Sequence, residues 1–435
     1  MKELINNLKG DKVIWTFVAL LALFSFMPVF SASSNLAYLN KGTGNTISYL
    51  LTHLAHVFMG FLIIYAVHKI PYHYFRAISK IALPVVWALL AFTLIRGTVI
   101  AGANASRWIK VPFIGITFQT STFAFVVLMI FVARYLSKKS EAPMSLKSSL
   151  IELWLPVFIT LGFILPANFS TAALIFAMVV MLTFVGNYPI KYIAVIVGSG
   201  IVCLVFFVLL SKAFPDAKFF NRVGTWTSRI ENYTSNKPGE DDYQIKNAKI
   251  AIASGGNFGL GPGKSVQKNV LPQSSSDFIF AIIVEEYGLI GGLIVLGLYL
   301  LLFFRFMVAA HKANTLFGKL LVVGLGFPMI FQALINMGVA VELLPVTGQT
   351  LPLISSGGSS IWMTCVSLGI IISVTKKDEE IALEQSEAEK RDMVLQKLID
   401  EQIEKENAIG EEVEENNYSI EDASKNPMDA VLKKK

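Results

Sequence analysis

Asp277 stands at the junction inside Leu271-Pro272-Gln273-Ser274-Ser275-Ser276-Asp277-Phe278-Ile279-Phe280, where a long polar segment runs straight into an apolar one. A carboxylate at that junction must be hydrogen-bonded, paired or functional, because burying an unpaired charge is costly. Eight and nine residues further along come Glu285 and Glu286. Three carboxylates at the mouth of one apolar segment point to a reaction centre. On a helix rising ~1.5 Å per residue, Glu285 would lie about 12 Å below Asp277. Inserting an acid near mid-membrane costs ~2.5–3.5 kcal/mol. At least one of the two glutamates is therefore expected to face a wet cavity or to bond a neighbouring helix, with structural and functional roles equally open.

Other stretches carry weaker chemical signals. Gly259-Leu260-Gly261-Pro262-Gly263-Lys264-Ser265 resembles part of a nucleotide phosphate loop. The full pattern would need glycine at Phe258, and no strand precedes it. Lys264 and Lys268 remain as point charges for a phosphate group. His53 and His56 share a helix face at i, i+3. Two histidines without a third ligand read as packed, hydrogen-bonded side chains. Gln332 and Asn336, at i, i+4, favour interhelical hydrogen bonding. The run from Leu344 to Ser360 holds two prolines and three glycines in an apolar setting. Such a broken segment is tolerated at membrane depth only where protein buries it or where it lines a cavity.

The elements that position these residues are membrane spans. The chain has 435 residues, of which 54% are hydrophobic, and a mean hydropathy of +0.58. That excludes a soluble domain. Spans are predicted near 13–33, 46–68, 81–99, 113–134, 150–166, 170–187, 190–210, 277–306, 318–340 and 360–375, ten in all. The fold class is thus an all-α polytopic membrane protein with one large extracytoplasmic loop, about 211–276. Ser31-Ala32-Ser33 imitates a signal-peptidase site, but an uncleaved first helix is expected. Cys203 and Cys365 fall inside apolar segments and read as small packing residues, not as a disulfide or metal site.

Charge orients the spans. The net charge of +6 hides a split. Residues 376–435 carry 10 basic and 18 acidic side chains, a net of −8, and the other 375 residues carry 27 and 13, a net of +14. This reflects topology and anionic lipid, not nucleic acid. Lys69, Arg76, Lys80, Arg134, Lys138, Lys139, Lys147, Lys191, Arg305, Lys312 and Lys319 fall in loops on one side. Lys41, Arg107 and Lys110 lie opposite. Both termini are therefore expected in the cytoplasm. Within the large loop, an amphipathic helix is predicted over Tyr243–Ser254, lying on the membrane or over a cavity. Residues 377–435 form a tail, helical to about Asn407 and then acidic and disordered.

Several of these stretches together are similar to the SEDS family (shape, elongation, division and sporulation), which includes the FtsW and RodA polymerases. They are Ala105-Ser106-Arg107-Trp108-Ile109, Gly255-Gly256-Asn257-Phe258-Gly259-Leu260-Gly261, Ser276-Asp277-Phe278-Ile279-Phe280-Ala281, Glu285-Glu286-Tyr287-Gly288 and the segment Leu334 to Ser360. The resemblance covers residues 10–376. Three positions depart from it. Thr122 and Asn168 stand where the family commonly has acids, and Ser356 where tyrosine is common. Gln349-Thr350-Leu351-Pro352 is closer to the division-type L-T-L-P than to the elongation-type L-P-L-P, which leans towards the FtsW-like branch.

The resemblance implies a ten-helix peptidoglycan glycosyltransferase of the bacterial inner membrane, acting in division or elongation on its extracytoplasmic side. Its substrate would be lipid II, a polyprenyl-diphosphate-linked disaccharide-pentapeptide, polymerised into β-1,4 glycan with release of undecaprenyl diphosphate. Asp277 would match the family's essential loop aspartate and act as general base. Arg107 falls on the arginine of an outer-loop motif. Substrate contacts are expected from Arg107, Lys264, Lys268, Glu285, Glu286, Asn336 and Ser355. The leaving diphosphate needs charge neutralisation from Arg107, Lys264, Lys268 or a divalent cation, Mg or Mn. The implied partner is a class B penicillin-binding protein, a transpeptidase. Two other readings are a flippase for the lipid-linked precursor, which intramembrane polar residues suit equally, and a membrane scaffold recruited by its tail.

Overall fold

The computed structural model describes residues 8–39, 46–97, 107–110, 117–139, 145–213, 223–224, 240–376, 386 and 389–402. Ten apolar helices are present: α1 (Lys12–Leu39), α2 (Thr46–Lys69), α3 (Phe75–Arg96), α4 (Thr120–Lys139), α5 (Leu146–Ile164), α6 (Phe169–Val185), α7 (Ile190–Ala213), α9 (Ile279–Lys312), α10 (Leu316–Ala340) and α11 (Gly358–Val374). Eight are long and apolar enough to cross a membrane, and α6 and α11 are shorter apolar helices. α8 (Glu240–Gly255) lies in the large loop. A two-stranded hairpin joins β1 (Trp108–Lys110) to β2 (Thr117–Gln119), pairing Ile109 with Phe118. The protein is an all-α polytopic membrane protein.

Four predicted boundaries move by six or seven residues: α1 runs on to Leu39, not residue 33, α9 runs on to Lys312, not residue 306, and two helix starts shift. α3 begins at Phe75, not residue 81, because its first turns carry Arg76, Ser79 and Lys80, which an apolar-run criterion passes over. α4 begins at Thr120, not residue 113, because Thr117–Gln119 pairs as a strand. α1 runs unbroken through Ser31-Ala32-Ser33. The cysteines divide: Cys365 packs on Gly60, whereas Cys203 is exposed on α7. The second helix's histidines behave as packing predicts, with His53 buried and hydrogen-bonded to Ser25 (2.8 Å).

α4 and α10 are the central helices, with 67% and 72% of their apolar cores buried against 11% for α7. A charged knot closes one end of the bundle. Arg305 Nε donates to Asp11 Oδ2 (2.6 Å) and the Asp11 N–H donates to Thr375 Oγ1 (2.9 Å). Nearby, Ser373 Oγ donates to the Ile70 carbonyl (2.5 Å). Asp277 stands at the other end of α9 from Arg305.

α9 is broken near that end. Gly288 has φ 70° and ψ −175° inside the helix. The break frees backbone groups, which at membrane depth must find partners. The glycine-rich segment Gly256–Gly261 supplies them. The Leu260 and Gly261 N–H groups donate to the carbonyls of Glu285 and Glu286 (both 2.9 Å), and the Leu289 N–H donates to the Gly256 carbonyl (2.9 Å). A Cβ on Gly288 would collide with the Asn257 carbonyl. The resemblance to a phosphate loop therefore has a structural cause: these glycines allow one backbone to enter another helix.

The chain divides into two compact units, Met1–Thr375 and Lys376–Lys435. In the second, residues 389–402 are helical, and Val394, Leu395, Leu398 and Ile399 are exposed. Leu383 and Ile403 lie outside the described residues, as does Trp226 of the large loop.

Candidate active site

A tight turn delivers Asp277 to the start of α9. Gln273 adopts φ 56°, and its carbonyl accepts from the N–H groups of Ser276 (3.0 Å) and Phe278 (3.2 Å). Three successive carbonyls are then held by groups outside the turn. The Ser356 N–H donates to the Ser275 carbonyl (2.9 Å). Ser355 Oγ donates to the Ser276 carbonyl (2.6 Å), and Asn336 Nδ2 donates to the Asp277 carbonyl (2.7 Å). Phe278 anchors the turn, 1% exposed. The backbone of Asp277 is thereby fixed while its side chain is half-buried at the rim.

The segment after α10 is the predicted broken one, and protein buries it. Gln332 Nε2 donates to the Thr350 carbonyl (2.9 Å), and the Tyr299 hydroxyl donates to the Pro352 carbonyl. Leu351, Leu353 and Ile354 are buried. Gly348, at φ 66°, faces the site: a methyl group there would stand 3.4 Å from Asp277 Oδ2. The four residues before it, Leu344–Thr347, line a cavity of about 540 Å³. Its other walls come from α6 (Phe169, Ala173, Met178) and α10 (Phe331, Ile335), and its mouth holds Arg107 and Asn168. Arg107 Nε donates to the Ala167 carbonyl (3.1 Å). Asn168 caps α6, its Oδ1 accepting from the Thr171 N–H (3.3 Å). Thr122, the other departure from the family's acids, donates back to the Gln119 carbonyl (2.8 Å).

The structure places four of the expected substrate contacts inside the protein, bonded to its own groups. Asn336 is 1% exposed and spends both amide hydrogens on carbonyls, those of Asp277 and Gln349 (2.7 Å each). Ser355 is buried between Ser276 and the Leu351 N–H (2.7 Å). Glu285 and Glu286 are fully buried. Glu285 accepts from the Ser265 hydroxyl and from the N–H groups of Val266 (2.9 Å) and Gln267 (3.2 Å). Glu286 accepts from the Ser31 hydroxyl and the Ser265 N–H (3.3 Å). All four side chains hold backbone groups, while Glu286 Oε2 and Asn336 Oδ1 have no hydrogen-bond partner among the described residues. Lys268 joins this network, donating to the Gly263 carbonyl (2.7 Å) and Ser31 Oγ (3.2 Å). Lys264 is exposed on the same loop.

α8 covers the start of α9. Ile245 and Ala248 are buried while Lys246 and Lys249 are exposed, as the amphipathic reading requires. Lys249 Nζ donates to Glu342 Oε2 (2.5 Å), pinning α8 to the turn after α10. Gly348, Gln349 and Thr171 had no chemical signal in the sequence, since their importance lies in contacts between distant segments.

The described residues offer no ready-made cage for a cation. Among the described residues no three His, Cys, Asp or Glu side chains form a metal-binding group, and no carboxylate lines the cavity.

The family model FTSW_RODA_SPOVE, described as "Cell cycle protein", matches residues 11–380. A Hydrogenovibrio crunogenus protein named "Probable peptidoglycan glycosyltransferase FtsW" is 31% identical over 377 residues, covering 86% of this chain and 93% of that protein. A Trichlorobacter lovleyi protein of the same name is 31% identical over 367 residues, covering 84% and 93%. Among solved structures, the Thermus thermophilus Rod shape determining protein RodA matches with a TM-score of 0.60 at 23% identity, covering 84% of this chain and 96% of that one. A chain of "Structural coordination of polymerization and crosslinking by a peptidoglycan synthase complex" matches with a TM-score of 0.64 at 23% identity, covering 84% and 97%.

Proposed function

For this chain, which belongs to the FtsW, RodA and SpoVE family of cell cycle proteins, we propose a glycosyl transfer with Asp277 as its base. The chain is a peptidoglycan glycosyltransferase, FtsW-like, in a multi-pass membrane protein. The observation that carries the reading of the site is the placement of Asp277. Its backbone is pinned at the end of α9, and its carboxylate stands beside the loop that walls an apolar cavity with an arginine at the mouth.

The substrate in this reading is lipid II. The cavity, lined mainly by apolar side chains, suits its hydrocarbon, and Arg107 at the mouth suits its diphosphate. A sugar 4-hydroxyl is too weak an acid to attack unaided. Asp277 takes its proton as the oxygen bonds to C1 of the donor sugar. The bond from C1 to the diphosphate breaks in the same displacement, and the electron pair leaves with the diphosphate. That group is a weak base and needs charge stabilisation, not a proton, which Arg107 supplies. One carboxylate therefore suffices, unlike the acid pair of a glycosidase. Displacement with inversion turns an α-linked donor into a β-linked glycan, and the proton on Asp277 then passes to water. No step runs through a bound cation.

The basic end of the bundle, with both termini, faces the cytoplasm in this reading, and Asp277 faces outward. The likeness to a chain of a polymerising and crosslinking complex supports a crosslinking partner, a class B penicillin-binding protein. The FtsW names of the relatives favour division over elongation. The test is full-length protein in lipid with its partner, given lipid II on the outer side. Glycan should lengthen, and Asp277→Asn should reduce the rate by about 10²–10⁴-fold, the usual worth of a general base. Retained polymerisation by Asp277→Asn would end the base assignment. A chain that only moves lipid II across the bilayer is a carrier.

A further inference from the structure

Gln349 is a buried amide in a segment that is otherwise mostly apolar. A buried amide must be bonded, and here the side chain bonds in one direction while the residue's backbone carbonyl bonds in another. Its Nε2 donates to Thr171 Oγ1 (3.1 Å), in the first turn of α6. The backbone carbonyl of Gln349 accepts from Asn336 Nδ2 (2.7 Å), and the same Asn336 amide group holds the Asp277 carbonyl (2.7 Å). On the far side, the Thr171 N–H donates to Asn168 Oδ1 (3.3 Å), and the neighbouring Ala167 carbonyl accepts from Arg107 Nε (3.1 Å). Hydrogen bonds and short stretches of backbone thus run from Asp277 through Asn336, Gln349, Thr171 and Asn168 to Arg107. They join the two ends of the proposed reaction, reaching the cavity lining at Asn168 and Arg107.

We propose that Gln349 is a positioning residue that sets the Asp277 carboxylate in register with α6, the helix that walls the cavity. The inference rests on the reading of Asp277 as base. Gly348, directly before Gln349, faces the carboxylate, and Thr347, before that, lines the cavity. A shift of this loop therefore moves the carboxylate's neighbour and the cavity wall together. The Gln349–Thr171 bond ties the loop to α6 at this point. Leucine fills a similar volume, and hydrogen bonds between membrane helices contribute little to stability. Loss of the amide is therefore expected to act on placement more than on folding. Reacting groups displaced by about 1 Å can lose ~10²-fold in rate.

The test uses the full chain in lipid bilayers with its partner and lipid II, each variant normalised to folded protein. Gln349→Leu and Thr171→Val should each lower kcat about tenfold while KM stays within about twofold, the pattern of an interaction that matters in the transition state. Thr171→Ser, which keeps the hydroxyl, should restore the rate. The double variant Gln349→Leu/Thr171→Val should be no slower than either single one, because both remove the same bond. Wild-type kcat in Gln349→Leu, losses that multiply in the double variant, or a Thr171→Ser as slow as Thr171→Val would each overturn the positioning role alone. An active Asp277→Asn would overturn the base assignment and this role with it.

Discussion

Asp277 is held by its backbone. Amide and hydroxyl donors from α10 and the segment after it fix three consecutive carbonyls, and the side chain is left at the rim. Gly348 is the neighbour that limits it. Its φ of 66° costs an L-residue about 1–2 kcal/mol. The added methyl would also meet Asp277 Oδ2 at 3.4 Å. Gly348→Ala is expected to slow glycan polymerisation by about 10–100-fold, with folded yield close to wild type. Rates per folded molecule on lipid II would show it. An unchanged rate would mean that nothing passes over Gly348.

At the scale of elements, the break in α9 organises the large loop. Gly288 opens the helix, the segment Gly256–Gly261 enters it, and the two buried glutamates beside the break bind the next stretch, Ser265 to Gln267. The glutamates therefore do the work of a hinge plate. Hydrogen bonds to a charged group contribute ~1.5–3 kcal/mol, and an orphaned buried donor costs about 1–3 kcal/mol. Glu285→Gln is expected to loosen residues 261–270 while α9 and α10 stay folded. Limited proteolysis should then nick this loop at least several-fold faster than in wild type, with thermal unfolding of the bundle little changed. A loop as resistant as wild type would show that α8 and the Lys249–Glu342 pair hold it instead, an exposed pair of a kind worth only ~0–1 kcal/mol.

For the whole molecule, the chain separates into an apolar bundle and an acidic tail. Every residue of the proposed chemistry lies in the first unit. A chain ending after Lys377 is expected to keep its polymerisation rate per folded molecule; complete loss would favour the scaffold reading, in which the tail recruits the machinery. Sidedness has its own check. With Cys203 and Cys365 replaced by serine, a cysteine at Lys264 should react with an impermeant maleimide added outside intact cells, and one at Lys138 only after the membrane is opened. The reverse pattern would put Asp277 in the cytoplasm, where a polymer bound for the wall has no use.

The sequence by itself determined the class of molecule, the number of apolar helices and the prominence of Asp277. Those follow from one-dimensional signals: run length against bilayer thickness, and a charge that interrupts hydrocarbon. It also marked Arg107, the broken segment Leu344–Ser360 and the amphipathic α8. It could not sort the polar residues by role. Glu285, Glu286, Asn336 and Ser355 look like substrate ligands in a list of buried polar side chains. Only the folded chain shows that their hydrogen bonds end on the protein's own backbone. Nor could it find Gln349, whose partners stand 13 and 178 positions away. A hydrogen bond depends on where two groups meet in space, and segments this far apart in the chain meet only when the helices pack.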